Sequence, residues 1–311
     1  MMKIIFISGV TFGYSILESI LEKNWKITAS FSYLPEKKKF YSDYVNFENL
    51  TKKYDIIHKQ VNNINDQENI NLIKKINPDL ILVMGWSQIL KSEILKIPKL
   101  GVIGSHPTEL PKYRGRAPIP WSILKGLKTS ALTFFWMKDG IDDGDILDQQ
   151  FFQILDSDDA TSLYDKITKL GKKMLDKNLS LITSGIINSI KQDSNKFIEY
   201  WNKRIPEDGR INWKDTGITI HNLIRASTKP YPGAFTMLQN KKLIIWRSEL
   251  INNENNTPGK ILDVSKHDFK IGTTQGTILV KEFTYDEKIS TNPLEIFSNN
   301  TFNQILDQSN E

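Results

Sequence analysis

The chain has no cysteine among its 311 residues. That excludes disulfide frameworks, thiolate-bound zinc, iron–sulfur clusters and thiol nucleophiles. With only four histidines besides, neither a metal centre nor redox chemistry is suggested. Long apolar runs are missing as well. Ile4–Ile7 and Leu80–Met84 fall far short of the roughly 20 residues that span a bilayer, and the N-terminus has no cationic region leading into an apolar stretch and cleavage site. No membrane association and a cytoplasmic location are expected. Charge is not concentrated: 41 Lys+Arg against 36 Asp+Glu leave +5, but the lysines are interleaved with acids. This pattern reads as a solvated surface rather than the stripe a polynucleotide demands, so no nucleic-acid partner is expected. The glycine fingerprint of a dinucleotide site is also incomplete. SGVTFGYS offers only Gly9 and Gly13 after the first apolar run, which reads as a plain strand-to-helix turn.

What remains is a folded-protein composition, 39% hydrophobic and 25% charged, long enough for about two domains. The N-terminal half alternates short apolar runs with helix-like segments. Strands are predicted at Lys3–Ile7, Lys26–Phe31, Asp55–His58, Leu80–Met84 and Gly101–Gly104, and helices at Tyr14–Glu22 and Gln67–Ile76, the latter stopped by Asn77-Pro78. Leu80–Met84 is apolar throughout, as a strand buried on both faces should be. Strands at Ser130–Met137 and Ile146–Ile154 precede a long amphipathic helix from about Thr161 to Ile182. The expectation is an α/β fold with an open, mostly parallel, Rossmann-like sheet.

Lys191–Glu207, with mixed charge and a proline, is the predicted linker. After it come one helix, Ile218–Ala226, and short β-branched runs at Lys241–Trp246, Gly259–Val264, Phe269–Gly272 and Thr277–Val280. These suggest a small antiparallel, OB-like barrel. The divisions are thus 1–205, 206–288, and a Ser-, Asn- and Gln-rich tail, 289–311, expected to be poorly ordered.

The chemically informative stretch is Gly101–Asp148. His106 leaves a buried strand at its C-terminal end, where open α/β sheets place catalytic groups, and enters a loop stiffened by Pro107, Pro111, Pro118 and Pro120. Asp142, Asp143 and Asp145 cluster with Gly140 and Gly144 in a later turn, with a spacing unlike a calcium loop. A His and an Asp on neighbouring loops can pair, the carboxylate fixing the imidazole tautomer and stabilising its cation.

His106-Pro-x-x-Leu-Pro-x-Tyr-Arg-Gly-x-x-Pro, followed by Asp142-x-Gly-Asp, strongly resembles the folate-dependent formyltransferases, the family of methionyl-tRNA and amino-sugar formyltransferases. RIPEDGRINW (Arg204–Trp213) and HNLIRASTKPYPGAF (His221–Phe235) look like the sugar-nucleotide branch. The resemblance implies formyl transfer from the co-substrate 10-formyltetrahydrofolate to a primary amine, with His106 stabilising the oxyanion or shuttling protons. Asp142 would orient His106, hold a water and balance positive charge. The folate would lie along Met84, Gly85, Trp86, Ser87 and Ile89 and against Asp139 and Gly140. One position departs from the pattern: the family has Asn two residues before the His, and here stands Gly104, so Ser105, a water or another side chain would have to substitute.

The Gly-Thr-Pro turn and basic Gly-rich loop typical of the methionyl-tRNA enzymes are absent or degraded in Ser8–Gly13 and Leu34–Lys39. The expected acceptor is therefore an amino sugar on a nucleoside diphosphate, used in surface-polysaccharide synthesis, with Arg114, Arg116 and Arg225 as diphosphate donors. A methionyl-tRNA acceptor, a non-catalytic folate-binding relative and a formyltetrahydrofolate hydrolase are the alternatives. For the barrel domain, dimerisation, substrate binding and bracing all stay open.

Overall fold

In the computed structural model, residues 2–252, 254, 256–286, 288–289, 292–297 and 306 are described. Of the 289–311 tail expected to be poorly ordered, 289, 292–297 and 306 are described: Pro293–Glu295 form a 3-10 turn and Phe297 and Leu306 are buried in a hydrophobic core, against that expectation, while its other residues lie outside the described ones. Two compact units emerge, and neither is a continuous stretch of chain. The first comprises Met1–Pro118, Lys128–Ile154 and Tyr164–Lys203; the second comprises Ile119–Leu127, Leu155–Leu163 and Arg204–Glu311.

The first unit is built on β1 (Ile4–Ile7), α1 (Thr11–Glu22), β2 (Ala29–Tyr33), α2 (Glu48–Lys53), β3 (Ile57–Val61), α3 (Gln67–Ile76), β4 (Leu80–Val83), α4 (Ser92–Leu95) and β5 (Gly101–His106). β6 (Tyr113–Gly115) is a three-residue strand, and β7 (Thr129–Trp136) and β8 (Ile146–Gln153) follow α5 (Pro118–Leu124), which beyond Pro118 belongs to the second unit. The seven-stranded sheet runs β3-β2-β1-β4-β5-β7-β8. Its first five strands are parallel, and β7 and β8 add antiparallel. The mostly parallel α/β expectation therefore holds. β1 and β4 are fully buried along their length, as their unbroken apolar runs require. Chain order reverses between β1 and β4, and the crevice beyond such a reversal is where open sheets take ligands.

Helix periodicity was readable. α1 buries Phe12, Ile16, Leu17, Ile20 and Leu21, and α3 ends at Asn77, whose φ of 50° closes the helix just before Pro78. α1 starts three residues earlier than its apolar pattern suggests, with no side-chain cap to mark the start. Pro118 and Pro120, read from sequence as loop stiffeners, instead lie in the first turn of α5, where proline's fixed φ suits a helix and its missing N–H costs nothing.

α6 (Ala160–Thr183) begins in the second unit and continues in the first. The segment expected to be a linker is structured: β9 (Glu199–Trp201) pairs in parallel with β6, register Tyr113–Glu199 to Gly115–Trp201. Two three-residue strands are too short for a period-2 pattern to register in sequence.

The second unit carries α7 (Gly217–Ser227), β10 (Ala234–Leu238), β11 (Lys241–Ile251), β12 (Ile261–Val264), β13 (Phe269–Gly272), β14 (Thr277–Tyr285) and β15 (Lys288–Ile289). Its antiparallel sheet is ordered β10-β11-β14-β13-β12, with β15 on β14. Ile220, Ile224, Leu243, Ile245, Ile271 and Val280 are among its core.

Candidate active site

His106 is the last residue of β5 and its side chain is only 7% exposed. Nε2 lies 3.1 Å from the Tyr113 carbonyl oxygen. A carbonyl only accepts, so Nε2 is the nitrogen that carries hydrogen. Nδ1 then faces the Asp142 carboxylate, 3.7 Å from Oδ2. At that separation no hydrogen bond joins them; the neutral ring turns a lone pair toward the carboxylate, and a protonated ring would face a negative counter-charge. Tyr113 also accepts from Thr108 Oγ1 at 2.6 Å, and its ring stacks on Trp201 of β9 at 4.6 Å. The β6–β9 pairing thereby fixes the carbonyl that sets the imidazole tautomer.

Asp142 stands in the turn between β7 and β8 with φ of 50°, a conformation Asp tolerates better than most residues. Its Oδ2 accepts the Gly115 N–H at 2.9 Å. A Cβ on Gly144 would run into the Trp136 backbone carbonyl, so the turn closes only with glycine there, whereas one on Gly140 would meet only the Asp143 carboxylate, which can shift. Beneath it, buried Gln192 donates to the carbonyls of Asp142 and Gly144. Sequence reasoning missed Gln192, because it sits in a polar stretch with no recognisable period.

Gly104 precedes His106 on the same face of β5. Its missing side chain leaves no hole: a Cβ there would meet Met137 Cγ at 2.9 Å and Phe135 Cζ at 3.0 Å. Ser105 points to the opposite face by strand alternation, and its Oγ accepts the Gly85 N–H at 3.3 Å. It therefore does not stand in for a carboxamide beside His106.

The loop after β4 is shaped by Gly85, whose φ is 70° and whose Cβ would lie 2.7 Å from Val10 Cγ2. Met84 is fully buried, so its side chain belongs to the sheet core and could contribute only backbone to a ligand. Trp86 stacks on Tyr33 at 3.8 Å, and Tyr33 stacks on Tyr41 at 4.3 Å. Ser87 joins the two tyrosines: its N–H donates to Tyr33 Oη and its Oγ to Tyr41 Oη. Burial holds the Tyr33 phenol far above its ordinary range, keeping it neutral. The buried Trp86 indole N–H has no hydrogen-bond partner among the described residues. A heterocycle with acceptors on its edge would satisfy it. Ile89 is 69% exposed, and Asp139 and Gly140 lie at the surface of the Asp142 turn. Ser92 Oγ donates to Asp139 Oδ2 at 3.4 Å, tying that turn to α4 beyond the loop.

The three arginines part company. Arg114, on β6, donates from Nη2 to Gln192 Oε1 at 2.8 Å and covers the Phe197 ring, while its buried Nε has no partner. Arg116 is exposed just beyond β6. Arg225, in the second unit, is committed internally. It donates to the carbonyls of Leu155 and Asp158 and to Asn222 Oδ1, so most of its donors are spent.

Residues 2–179 match the family model described as formyl transferase, and 203–300 match the formyl transferase C-terminal domain. This chain belongs to the formyl transferase family. Among its relatives, the bifunctional polymyxin resistance protein ArnA of Wigglesworthia glossinidia brevipalpis is 36% identical over 84% of this chain. The match covers 40% of that bifunctional protein. Methionyl-tRNA formyltransferase of Alkaliphilus oremlandii is 33% identical over 92% of this chain and 93% of its own length. An N-formyltransferase from Helicobacter canadensis, solved with folinic acid and dTDP-3-aminofucose, superposes with a TM-score of 0.68 at 23% identity, covering 91% of this formyl transferase and 100% of that chain.

Proposed function

We propose that this formyl transferase moves the formyl group of 10-formyltetrahydrofolate to the primary amine of an amino sugar carried on a nucleoside diphosphate, in a step serving surface-polysaccharide synthesis. The observation that carries the chemistry is the His106 ring, with Nε2 given to the Tyr113 carbonyl and Nδ1 facing Asp142. Folate brings an activated formyl carbon. Gly85, Trp86 and Ser87 hold it: Gly85 lets the loop turn closely past Val10, and the Trp86 N–H, without a partner among the described residues, suits a flat ring with acceptors on its edge. The amine nitrogen adds to the formyl carbon, His106 takes its proton at Nδ1, the one ring nitrogen without a hydrogen, and the proton passes to folate N10 as the formyl–N10 bond breaks and tetrahydrofolate leaves. Asp142 stabilises the resulting imidazolium and positions the amine beside it. With glycine at 104 and Ser105 on the other face, charge developing on the formyl oxygen is met by fewer side-chain donors than the family pattern supplies.

Arg114 and Arg116 are the proposed diphosphate contacts; Arg225, whose two Nη groups are taken up by Leu155, Asp158 and Asn222, is given a structural task instead. The aminofucose nucleotide bound by the Helicobacter protein, which this chain spans end to end, supports the acceptor class.

A methionyl-tRNA acceptor is the second reading. Favouring it are the Alkaliphilus relative, matched over nearly its full length, and three consecutive lysines, Lys37–Lys39, in the short 3-10 helix after β2. One assay separates the two: incubate the protein with 10-formyltetrahydrofolate and either nucleotide-linked amino sugars or methionyl-tRNA, and follow tetrahydrofolate release. Turnover with an amino sugar and none with tRNA is expected. Turnover confined to methionyl-tRNA, with steeply salt-dependent binding, establishes the second reading. Formate release without any amine would make the protein a hydrolase, and no folate turnover at all would remove the catalytic reading.

A further inference from the structure

We infer that Gln192 is a positioning residue for Asp142, and that the segment around it, outside the His106 and Asp142 loops, is a working part of the active site. The inference rests on the assignment of His106 and Asp142 to catalysis.

Gln192 is 8% exposed, and among the described residues its side chain bonds to the carbonyls of Asp142 and Gly144 and to Arg114. Both of its N–H groups are spent, one on the Asp142 carbonyl at 2.8 Å and one on the Gly144 carbonyl at 2.7 Å. Its Oε1 accepts from Arg114 Nη2 at 2.8 Å. The two carbonyls belong to a tight turn in which Asp142 is held at positive φ, a conformation that needs outside support. Gln192 supplies that support from a backbone anchored in place. Two residues earlier, Ile190 exchanges both backbone hydrogen bonds with Ile146, the first residue of β8, at 2.7 and 2.8 Å. A ring of contacts results. Gln192 holds the Asp142 backbone, the Asp142 carboxylate takes the Gly115 N–H, and the neighbouring Arg114 returns to Gln192.

Geometry assigns the role to a carboxamide alone. A glutamate at 192 would still accept from Arg114 but would turn a carboxylate oxygen toward two carbonyl oxygens. A leucine would fill similar volume and leave both carbonyls and the guanidinium unpaired. In either case the turn shifts and Oδ2 moves relative to His106 Nδ1, and a displacement near 1 Å at a reacting centre can cost about 10²-fold in rate.

The test uses the full-length chain with Gln192→Leu and Gln192→Glu beside Asp142→Ala. The expected result is a fall in kcat of about 10²-fold for both Gln192 variants, KM for the formyl donor changing by no more than about twofold, and no further loss when Gln192→Leu is added to Asp142→Ala. A second readout needs no substrate. With four histidines in the chain, ring nitrogen resonances can be assigned individually, and those of His106 should move in Gln192→Leu as they do in Asp142→Ala. His221 and His267 should be unmoved. Unchanged kcat, additive losses, or a stationary His106 signal would overturn the inference. If Gln192→Leu does not fold, Gln192→Glu carries both readouts. Should the wild-type protein formylate no nucleotide sugar while the His106 resonances still respond, the proposed acceptor fails and the positioning role stands.

Discussion

His106 and Asp142 are separated by 3.7 Å between Nδ1 and Oδ2, beyond hydrogen-bond reach but close enough for the carboxylate to attract an imidazolium. Replacing either side chain removes the proton acceptor or its counter-charge while deleting little buried apolar surface. His106→Ala and Asp142→Asn should each lower turnover by about 10²–10⁴-fold with the thermal midpoint nearly unchanged, measured by tetrahydrofolate release and by melting. Gly104 calls for a different expectation. Met137 and Phe135 already fill the space an asparagine would need, so Gly104→Asn alone should destabilise by about 1–3 kcal/mol through overpacking. Combining it with Met137→Ala should restore the melting temperature and raise kcat; a double variant no faster than wild type would mean that the carboxamide is not what the site lacks. At this scale His106 and Asp142 were legible because a long proline-rich motif surrounds one and a glycine-rich acidic turn the other. Gln192 was not, since a glutamine between Lys191 and Asp193 looks like any solvated residue until its three partners are seen.

Elements with a long apolar period were legible, and those without one were not. β4 and α3 follow directly from their patterns, whereas β6 and β9 are too short to show one and α5 hides behind its prolines. The loop after β4 could be located in sequence but not shaped, because its geometry is set by Gly85 against Val10, from a different strand–helix turn. Gly85→Ala should therefore act on the loop in two ways, through strain at φ 70° and through the 2.7 Å approach to Val10 Cγ2. A loss of about 1–3 kcal/mol in chemical denaturation, together with weakened folate binding by calorimetry, is expected. An alanine variant that binds folate normally would show that the loop tolerates a different course.

At the scale of the whole molecule, acid should act on the second unit through His221. Burial, aided by the Arg225 guanidinium, holds this imidazole down to about 4 despite an opposing Asp156; its Nδ1 lies 2.9 Å from Ser248 Oγ. The unfolded chain takes up the proton near pH 6.5 and the folded one only near 4, so the unfolded state binds more protons between these values. Stability present above about pH 6.5 is accordingly lost as pH falls toward 4, by at most about 3 kcal/mol for this group. Urea titrations across that window should show a shallower loss in His221→Gln, and an unchanged slope would place the acid sensitivity elsewhere. That the second unit is made of three separate pieces is invisible in the residue pattern, since its two short members, Ile119–Leu127 and Leu155–Leu163, lie within runs that read as part of the sheet domain. That arrangement has a consequence for biosynthesis. A ribosome releases these pieces long before Arg204 and everything after it, so the second unit cannot close its core until nearly the whole chain has emerged. Ile119 and Ile123, buried in the finished protein, lie on one of these early-made pieces, which must wait for the C-terminal part of its unit to be synthesised.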